Sequence, residues 1–253
     1  MYIDNLILEV TRKCNLRCAH CLRGNPQRVT MSNEVLHAVM SHVDYVSSVL
    51  FTGGEPSLAT EVIENFIDIC NWRKVSFGGF YVITNGKAHN GLSRFMKACD
   101  RLYFMADEQE ICGVVVSQDQ YHKALRDVQW HRYEMKDEDG RPYGEFPPYF
   151  DAKGRDHPIE FAFDEGRAHE NQLGYKPAHN QEPWGIYDRD DGSIGVNEEH
   201  GGQVYIAANG NVTSACDMSF KRIDKEAKGN VLITPLPEII KSFCVPEERM
   251  ATA

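Results

Sequence analysis

Short apolar runs alternate with segments whose apolar residues recur at helical spacing through the first half of the chain, and this pattern predicts repeated βα units on a parallel sheet. Ile3 to Val10 reads as the first strand. After a cysteine-bearing loop, Ser32 or Asn33 caps a helix reaching to about Ser47, with Val35, Leu36, Val39, Val43 and Val46 as its buried stripe. Ser48 to Thr52 is the second strand and ends at Gly53-Gly54. Thr60 to Trp72 follows as a helix on Val62, Ile63, Phe66, Ile67 and Cys70, and Phe80 to Thr84 is a third strand stopped by Asn85-Gly86.

A short helix near Leu92 to Cys99 precedes two apolar runs, Arg101 to Met105 and Gly113 to Ser117. Periodicity alone does not separate them, and the second is favoured as the fourth strand. Residues 130–158 are polar and rich in Gly, Pro, Asp and aromatics, an excursion of the size that serves as a lid or binding element. Ile159 to Phe163 resumes a strand, and a second polar stretch runs from about Gly174 to Gly202. Val204 to Ala207 and Val212 to Ala215, joined across Asn209-Gly210, form a hairpin, and Gly229 to Leu232 with a closing helix completes the chain. The predicted organisation is one α/β domain over 1–202, with long loops near 130–158 and 174–202, then a hairpin and closing helix over 203–253.

A chain of 253 residues is long enough to bury a full core. No stretch approaches the roughly 20 apolar residues that span a bilayer, and the N-terminus lacks a basic patch followed by an apolar run, so a cytoplasmic location is expected. The net charge of −10 argues against a nucleic acid backbone as main partner, since that binding rests on many cations. Arg12, Lys13, Arg17, Arg23 and Arg28 nevertheless concentrate near the cysteine run, either to meet an anionic ligand or cluster thiolates or as a solvated basic loop.

Eight cysteines in a chain without a secretion signal read as metal ligands, reactive thiols or core residues rather than disulfides. Cys14, Cys18 and Cys21 are spaced by three and then two residues. Three such thiolates wrap one cuboidal iron-sulfur cluster and leave its fourth iron without a protein ligand. The alternative is a zinc site completed by His20 or the distant Cys216; no second CxxC or HxxxH is present to complete a zinc ribbon. Cys70, Cys99 and Cys112 lie in apolar patterns and read as core.

Cys14-x-x-x-Cys18-x-x-Cys21, followed after the second strand by Thr52-Gly53-Gly54-Glu55-Pro56, resembles the two leading motifs of the radical S-adenosylmethionine (SAM) superfamily. The resemblance implies a partial (β/α)6 TIM-type barrel with chemistry at the C-terminal strand ends, here carrying a small C-terminal β-hairpin extension. It also implies a [4Fe-4S] cluster on Cys14, Cys18 and Cys21, with SAM on the open iron and an oxidoreductase activity that starts by cleaving SAM. A low-potential electron donor such as flavodoxin or ferredoxin is the implied partner.

The same resemblance puts His20 near the adenine and lets the backbone of Gly53 and Gly54 approach the methionyl end. Glu55 either helps receive the amino group of SAM or is a turn residue held by Pro56. Asn85 either touches adenine or ribose or simply ends its strand. Ser117 and Asp119 resemble a Ser-x-Asp segment that family members place beside SAM, with His122 one helical turn later on the substrate side; helix capping by Asp119 is the alternative. Gly166-Arg167-Ala168 resembles a segment in which the arginine pairs with the SAM carboxylate, although a surface ion pair has the same sequence.

Gly210-Asn211-Val212 with Cys216-Asp217 and Gly229-Asn230-Val231 is similar to the start of the accessory-cluster extension of peptide-modifying members. Only Cys244 follows Cys216, so that extension's cysteine array is missing. Cys216 is then a relic, a substrate-facing thiol or a core residue. The expected substrate is a peptide or a small molecule such as a nucleoside. Activation of a glycyl-radical enzyme and a non-catalytic metal-binding interaction module are the competing functions.

Overall fold

The computed structural model describes residues 1–87, 90–117, 149–151, 162–197 and 203–246. Four strands and three helices alternate at the start: β1 (Tyr2–Thr11), α1 (Asn33–Met40), β2 (Tyr45–Gly53), α2 (Thr60–Arg73), β3 (Ser76–Thr84), α3 (Leu92–Met105) and β4 (Gly113–Val116). They are followed by β5 (Phe150–Asp151), α4 (Gly166–Glu170), β6 (Trp184–Asp188), β7 (Ile194–Asn197), β8 (Val204–Ile206), β9 (Asn211–Thr213), α5 (Phe220–Glu226), β10 (Gly229–Asn230), α6 (Leu236–Ser242) and β11 (Cys244–Pro246).

One sheet holds these strands in the order β10-β9-β8-β1-β2-β3-β4-β5. Every pair from β8 through β5 is parallel, and among the described residues no pairing joins β5 back to β10, so the sheet is open. The fold is mixed α/β with an open, mainly parallel sheet, compatible with a partial barrel. In such a sheet the C-terminal strand ends form one rim, where ligands characteristically bind. Among the described residues no helix is long and apolar enough to cross a membrane.

Two cores lie on opposite sides of β1, because successive side chains of a strand alternate between faces. Leu6, Leu8 and Val10 point to the helices, where Val35, Leu36, Val39, Ile63, Phe66, Phe95, Cys99 and Leu102 complete a fully buried layer. Phe51 and Phe66 meet edge to face at 5.2 Å. Ile7 points the other way and packs with Tyr205, Ala207, Met218, Phe220 and Ile223.

Most predicted elements of the first half are present, with shifted ends. Ser32 caps α1 through Val35 N–H, but the helix stops at Met40 because β2 starts at Tyr45, paired with Tyr2 of β1. The strands are longer than their apolar runs because the ladder extends past them. Arg101 to Met105 belongs to α3, where Leu102 continues the stripe of Phe95 and Cys99, and Gly113–Val116 is the fourth strand.

Three expectations need correction. The stretch 174–202, read as loop, contains the antiparallel hairpin of β6 and β7, and β7 pairs with the start of β1. The short helix α5 sits in a stretch given no element, capped by the Ser219 side chain. Phe150–Asp151, inside the first predicted excursion, pairs parallel with β4. Of the predicted strand at 159–163, residues 159–161 lie outside the described residues and Phe163 forms a single bridge to Lys176. The predicted C-terminal hairpin is β8 and β9, and β8 continues the sheet beside β1.

Candidate functional site

A cavity of about 430 Å³ opens at the C-terminal ends of β1, β2 and β3. Its lining includes Cys14, Cys18, His20 and Cys21 from the loop after β1, Gly53, Gly54 and Glu55 after β2, Asn85 after β3, Ser117 after β4, and Cys216 after β9. Side chains spread over more than 200 positions of sequence therefore face one space. The volume is within the range of small-molecule sites.

A bulge forms the rim's foundation. The β1–β2 register slips between Glu9 and Thr11, which bends β1 as it enters the cysteine loop. The backbone of Gly54 and Glu55 then continues the ladder onto the loop: Gly54 N–H donates to Thr11 O (2.7 Å) and Glu55 N–H to Lys13 O (2.8 Å). A Cβ on Gly53 would stand 2.0 Å from Thr11 O, and one on Gly54 2.3 Å from Lys13 O. Gly53 also has φ +143°, a conformation other residues rarely adopt. The two glycines are thus required by their contact with the cysteine loop.

Glu55 is buried and bonded through both oxygens. Oε1 accepts from Ser57 N–H (3.1 Å), Ser57 Oγ (2.5 Å) and Thr84 Oγ1 (2.6 Å), and Oε2 accepts from Asn85 N–H (2.8 Å). The carboxylate ties the turn after β2 to the end of β3. Asn85 in turn donates through Nδ2 to Asn15 Oδ1 at 2.9 Å and lies 3.7 Å from Cys14 Sγ, which links the third strand end to the cysteine loop. Ser117 N–H donates to Thr84 O and extends the rim to β4.

Burial pushes the Cys14 thiol up to about 11, with Glu55 and the neighbouring Cys18 and Cys21 acting in the same direction; the Leu16 N–H opposes them. Cys21 is raised for the same first reason, against backbone N–H groups of Arg23 and Gly24. Three half-buried thiols, Cys14 and Cys21 with nearby N–H donors, suit a cationic iron centre that holds them as thiolates. Among the described residues no three His, Cys, Asp or Glu side chains converge as the ligands of a single metal ion do. Three thiolates from one loop are the donor set that a cuboidal cluster with one open iron takes.

The remaining predicted positions divide. His20 and Cys216 line the cavity. Arg167 is not among the lining residues: its Nε donates to Cys18 O (3.1 Å), its Nη1 to Asn25 Oδ1 (2.9 Å) and its N–H to Cys21 O (2.9 Å). With Asn171 Nδ2 on Ala19 O (2.9 Å), the α4 segment grips the cysteine loop from behind. Asp119 and His122 lie outside the described residues. Cys70 and Cys99 are buried in the helical layer, and Cys112 is half-buried against it.

Sequence reasoning did not find the polar network under the loop. Arg12, 1% exposed, donates from Nε to Glu9 Oε1 (2.6 Å) and from both terminal nitrogens to Asp224 (2.7 and 2.8 Å). Its guanidinium also stacks over Phe220, 4.9 Å from the ring centroid. Glu9 completes its shell with Ala208 N–H and the Tyr205 hydroxyl. Asp224 is 212 positions from Arg12, so no local pattern signals the pair. At the cavity Asp217 contacts His179 Nδ1 (3.0 Å), and the neighbouring Cys216 thiol is pushed up to about 11 by burial and by Asp217.

No family model matches the chain. Over 72 residues it is 36% identical to an uncharacterized protein of Methanocaldococcus jannaschii, covering 27% of this chain and 25% of that protein. Over 68 residues it is 38% identical to a GTP 3',8-cyclase of Lactiplantibacillus plantarum, covering 24% and 20%. The chain thus spans a quarter or less of the curated relatives it matches. The solved structure of native anSMEcpe with bound AdoMet aligns over 97% of this chain and 85% of its own, with TM-score 0.50 and 16% identity, a likeness of fold extending over nearly the whole chain.

Proposed function

We propose that the chain is a radical SAM enzyme that acts on a peptide or small-molecule substrate. The observation that carries this reading is the meeting of Cys14, Cys18 and Cys21 with the Gly53-Gly54-Glu55 turn around one cavity at the C-terminal strand ends. A fold shared with a protein solved with AdoMet bound supports it, as does local identity to a GTP 3',8-cyclase. Cys14, Cys18 and Cys21 would hold a [4Fe-4S] cluster. When bound and reduced, such a cluster supplies the electron that breaks the sulfur to 5′-carbon bond of SAM, giving methionine and a 5′-deoxyadenosyl radical that takes hydrogen from substrate.

The chain's own residues prepare the space. Glu55 fixes the ends of β2 and β3 on which SAM would lie, its oxygens already engaged with Ser57, Thr84 and Asn85. His20 is assigned to adenine and Asn85 to adenine or ribose, both lining the cavity with Ser117. Arg167 holds the loop through Cys18 O. Cys216 and Asp217 line the same cavity, and substrate is assigned to their side.

Anaerobically reconstituted and reduced protein converts SAM to 5′-deoxyadenosine and methionine, and Cys18→Ala abolishes the conversion. Chromatography of the products with iron and sulfide analysis checks both. Zinc in place of iron, without cluster absorbance after reconstitution, would replace this reading with a metal-binding interaction module. Deuterated candidate substrates separate the classes: label in 5′-deoxyadenosine from a nucleoside but not from peptides assigns the small-molecule class.

A further inference from the structure

Between Glu9 and Glu34 the chain carries five cations, Arg12, Lys13, Arg17, Arg23 and Arg28, and no carboxylate, in a protein whose net charge is −10. The structure sorts these cations by role. Arg12 is consumed internally by Glu9 and Asp224. Arg23 donates to Met218 O (3.0 Å) and lies over the Tyr205 ring. Arg17 is exposed and borders the cavity. Lys13 and Arg28 are exposed and are not among the cavity-lining residues.

The backbone brings the positions of these last two close together. Lys13 is fixed by Glu55 N–H on its carbonyl, while Arg28 lies between Gln27 and Val29, which bond Arg12 O and Arg12 N–H respectively. Exposed Lys87 adds a cation to the same loop by donating to Asn15 O (3.1 Å). None of Lys13, Arg28 and Lys87 has a carboxylate partner among the described residues. The outer side of the cysteine loop is therefore a cationic surface on an acidic molecule, built on the backbone that carries Cys14.

We propose that Lys13, Arg28 and Lys87 form the docking surface for a small acidic protein carrying a one-electron carrier near its own surface. The proposal rests on the radical SAM reading, which requires an electron from outside to reduce the cluster before SAM is first cleaved. The carrier loses that electron and the oxidised cluster gains it, with no bond made and no proton needed at the cluster. Charge complementarity favours this occupant: two proteins with net negative charge repel at long range, and a local cationic surface overcomes the repulsion only in the orientation that brings the carrier to the loop.

Flavodoxin, an acidic flavin protein, is the probe, and the test has two readouts. Zero-length carbodiimide coupling forms amides between flavodoxin carboxylates and Lys13 or Lys87, identified by peptide mapping and suppressed by added salt. With the loaded protein, Lys13→Glu combined with Arg28→Glu slows cluster reduction by flavodoxin hydroquinone about tenfold at low ionic strength. The rates converge at high salt, and reduction by photoreduced deazaflavin, a small uncharged reductant, is unchanged. Equal flavodoxin rates in variant and wild type, or coupling confined to other lysines, would overturn the proposal. A variant impaired only in turnover of an acidic peptide under deazaflavin reduction would assign the surface to substrate and also overturn it. Should charge reversal prevent loading, Lys13→Gln with Arg28→Gln retains the test, with about a threefold effect expected. Coupling at Lys13 by a protein that takes up no cluster would leave the docking surface standing and sink the radical SAM reading.

Discussion

The two faces of the central sheet are built on opposite principles. The helical side is a continuous apolar layer of Leu6, Leu8, Val10, Phe51, Phe66 and their neighbours, stabilised by area removed from water and by packing. The cavity side uses few apolar residues and places charge where the first side would not tolerate it: Glu9 is fully buried and Arg12 nearly so. A buried ion pair gains little net stability because desolvation offsets attraction, and its better-attested use is to specify one geometry. The network lies directly before Cys14 and joins β1 to α5, so the geometry it specifies is that of the cysteine loop. One face stabilises the molecule; the other fixes where its chemistry sits.

The most severe way to break this division is to remove the cation at its centre. Arg12→Met leaves Glu9 buried opposite Tyr205 without its partner and leaves Asp224 facing a thioether. The expected loss is about 3–5 kcal/mol in denaturant unfolding, with poor iron uptake even at temperatures where the chain remains folded. A variant that unfolds like wild type and loads a full complement of iron would show that the network does not set the loop.

The two faces also differed in how much of them could be read in advance. On the helical side the stripes at Val35-Leu36-Val39 and Ile63-Phe66-Ile67 are local, because helical periodicity repeats within four residues, and α1, α2 and β1 through β3 were legible from them. The Cys14-Cys18-Cys21 spacing and the Gly53-Gly54-Glu55 turn were legible for the same reason. Arg12–Asp224 was not, since the partners are 212 positions apart and each alone is an ordinary charged residue. The contact of Arg167 with the carbonyl of Cys18 was not legible either, since a sequence cannot tell whether an arginine at the start of a helix reaches into a cavity or onto a loop. The hairpin of β6 and β7 was obscured because its polar and glycine-rich strands lie on the margin of the sheet.

A smaller effect sharpens the contrast from the other face. Ile63 is fully buried in the helical layer, remote in chemistry from the loop. Removing one methylene as Ile63→Val costs about 1 kcal/mol, and that loss falls on global unfolding alone, with iron content and the proposed SAM cleavage per folded molecule unchanged. A stability change of this size accompanied by altered cluster loading would mean that the two faces are coupled and the division is wrong.

The smallest expected effect isolates the solvent-facing end of the network. Burial by itself would raise the Asp224 carboxyl, but Arg12, Asn209 and Asn211 more than offset this and hold it below the usual carboxylate range. The folded chain therefore binds that proton less readily than the unfolded chain. Stability from this carboxylate is present above the ordinary carboxylate range and is lost as pH falls through the depressed folded value. Asp224→Asn carries no such charge, so its stability lacks this acid-dependent step while starting lower near neutral pH. Urea midpoints of the two cluster-free proteins measured from neutral pH downward should converge. Because Asp224 is partly exposed, screening keeps the difference modest. Curves that stay parallel down to acid would mean that Arg12 is held by Glu9, Gln27 and Phe220 without Asp224, and that α5 contributes packing but no charge to the cysteine loop.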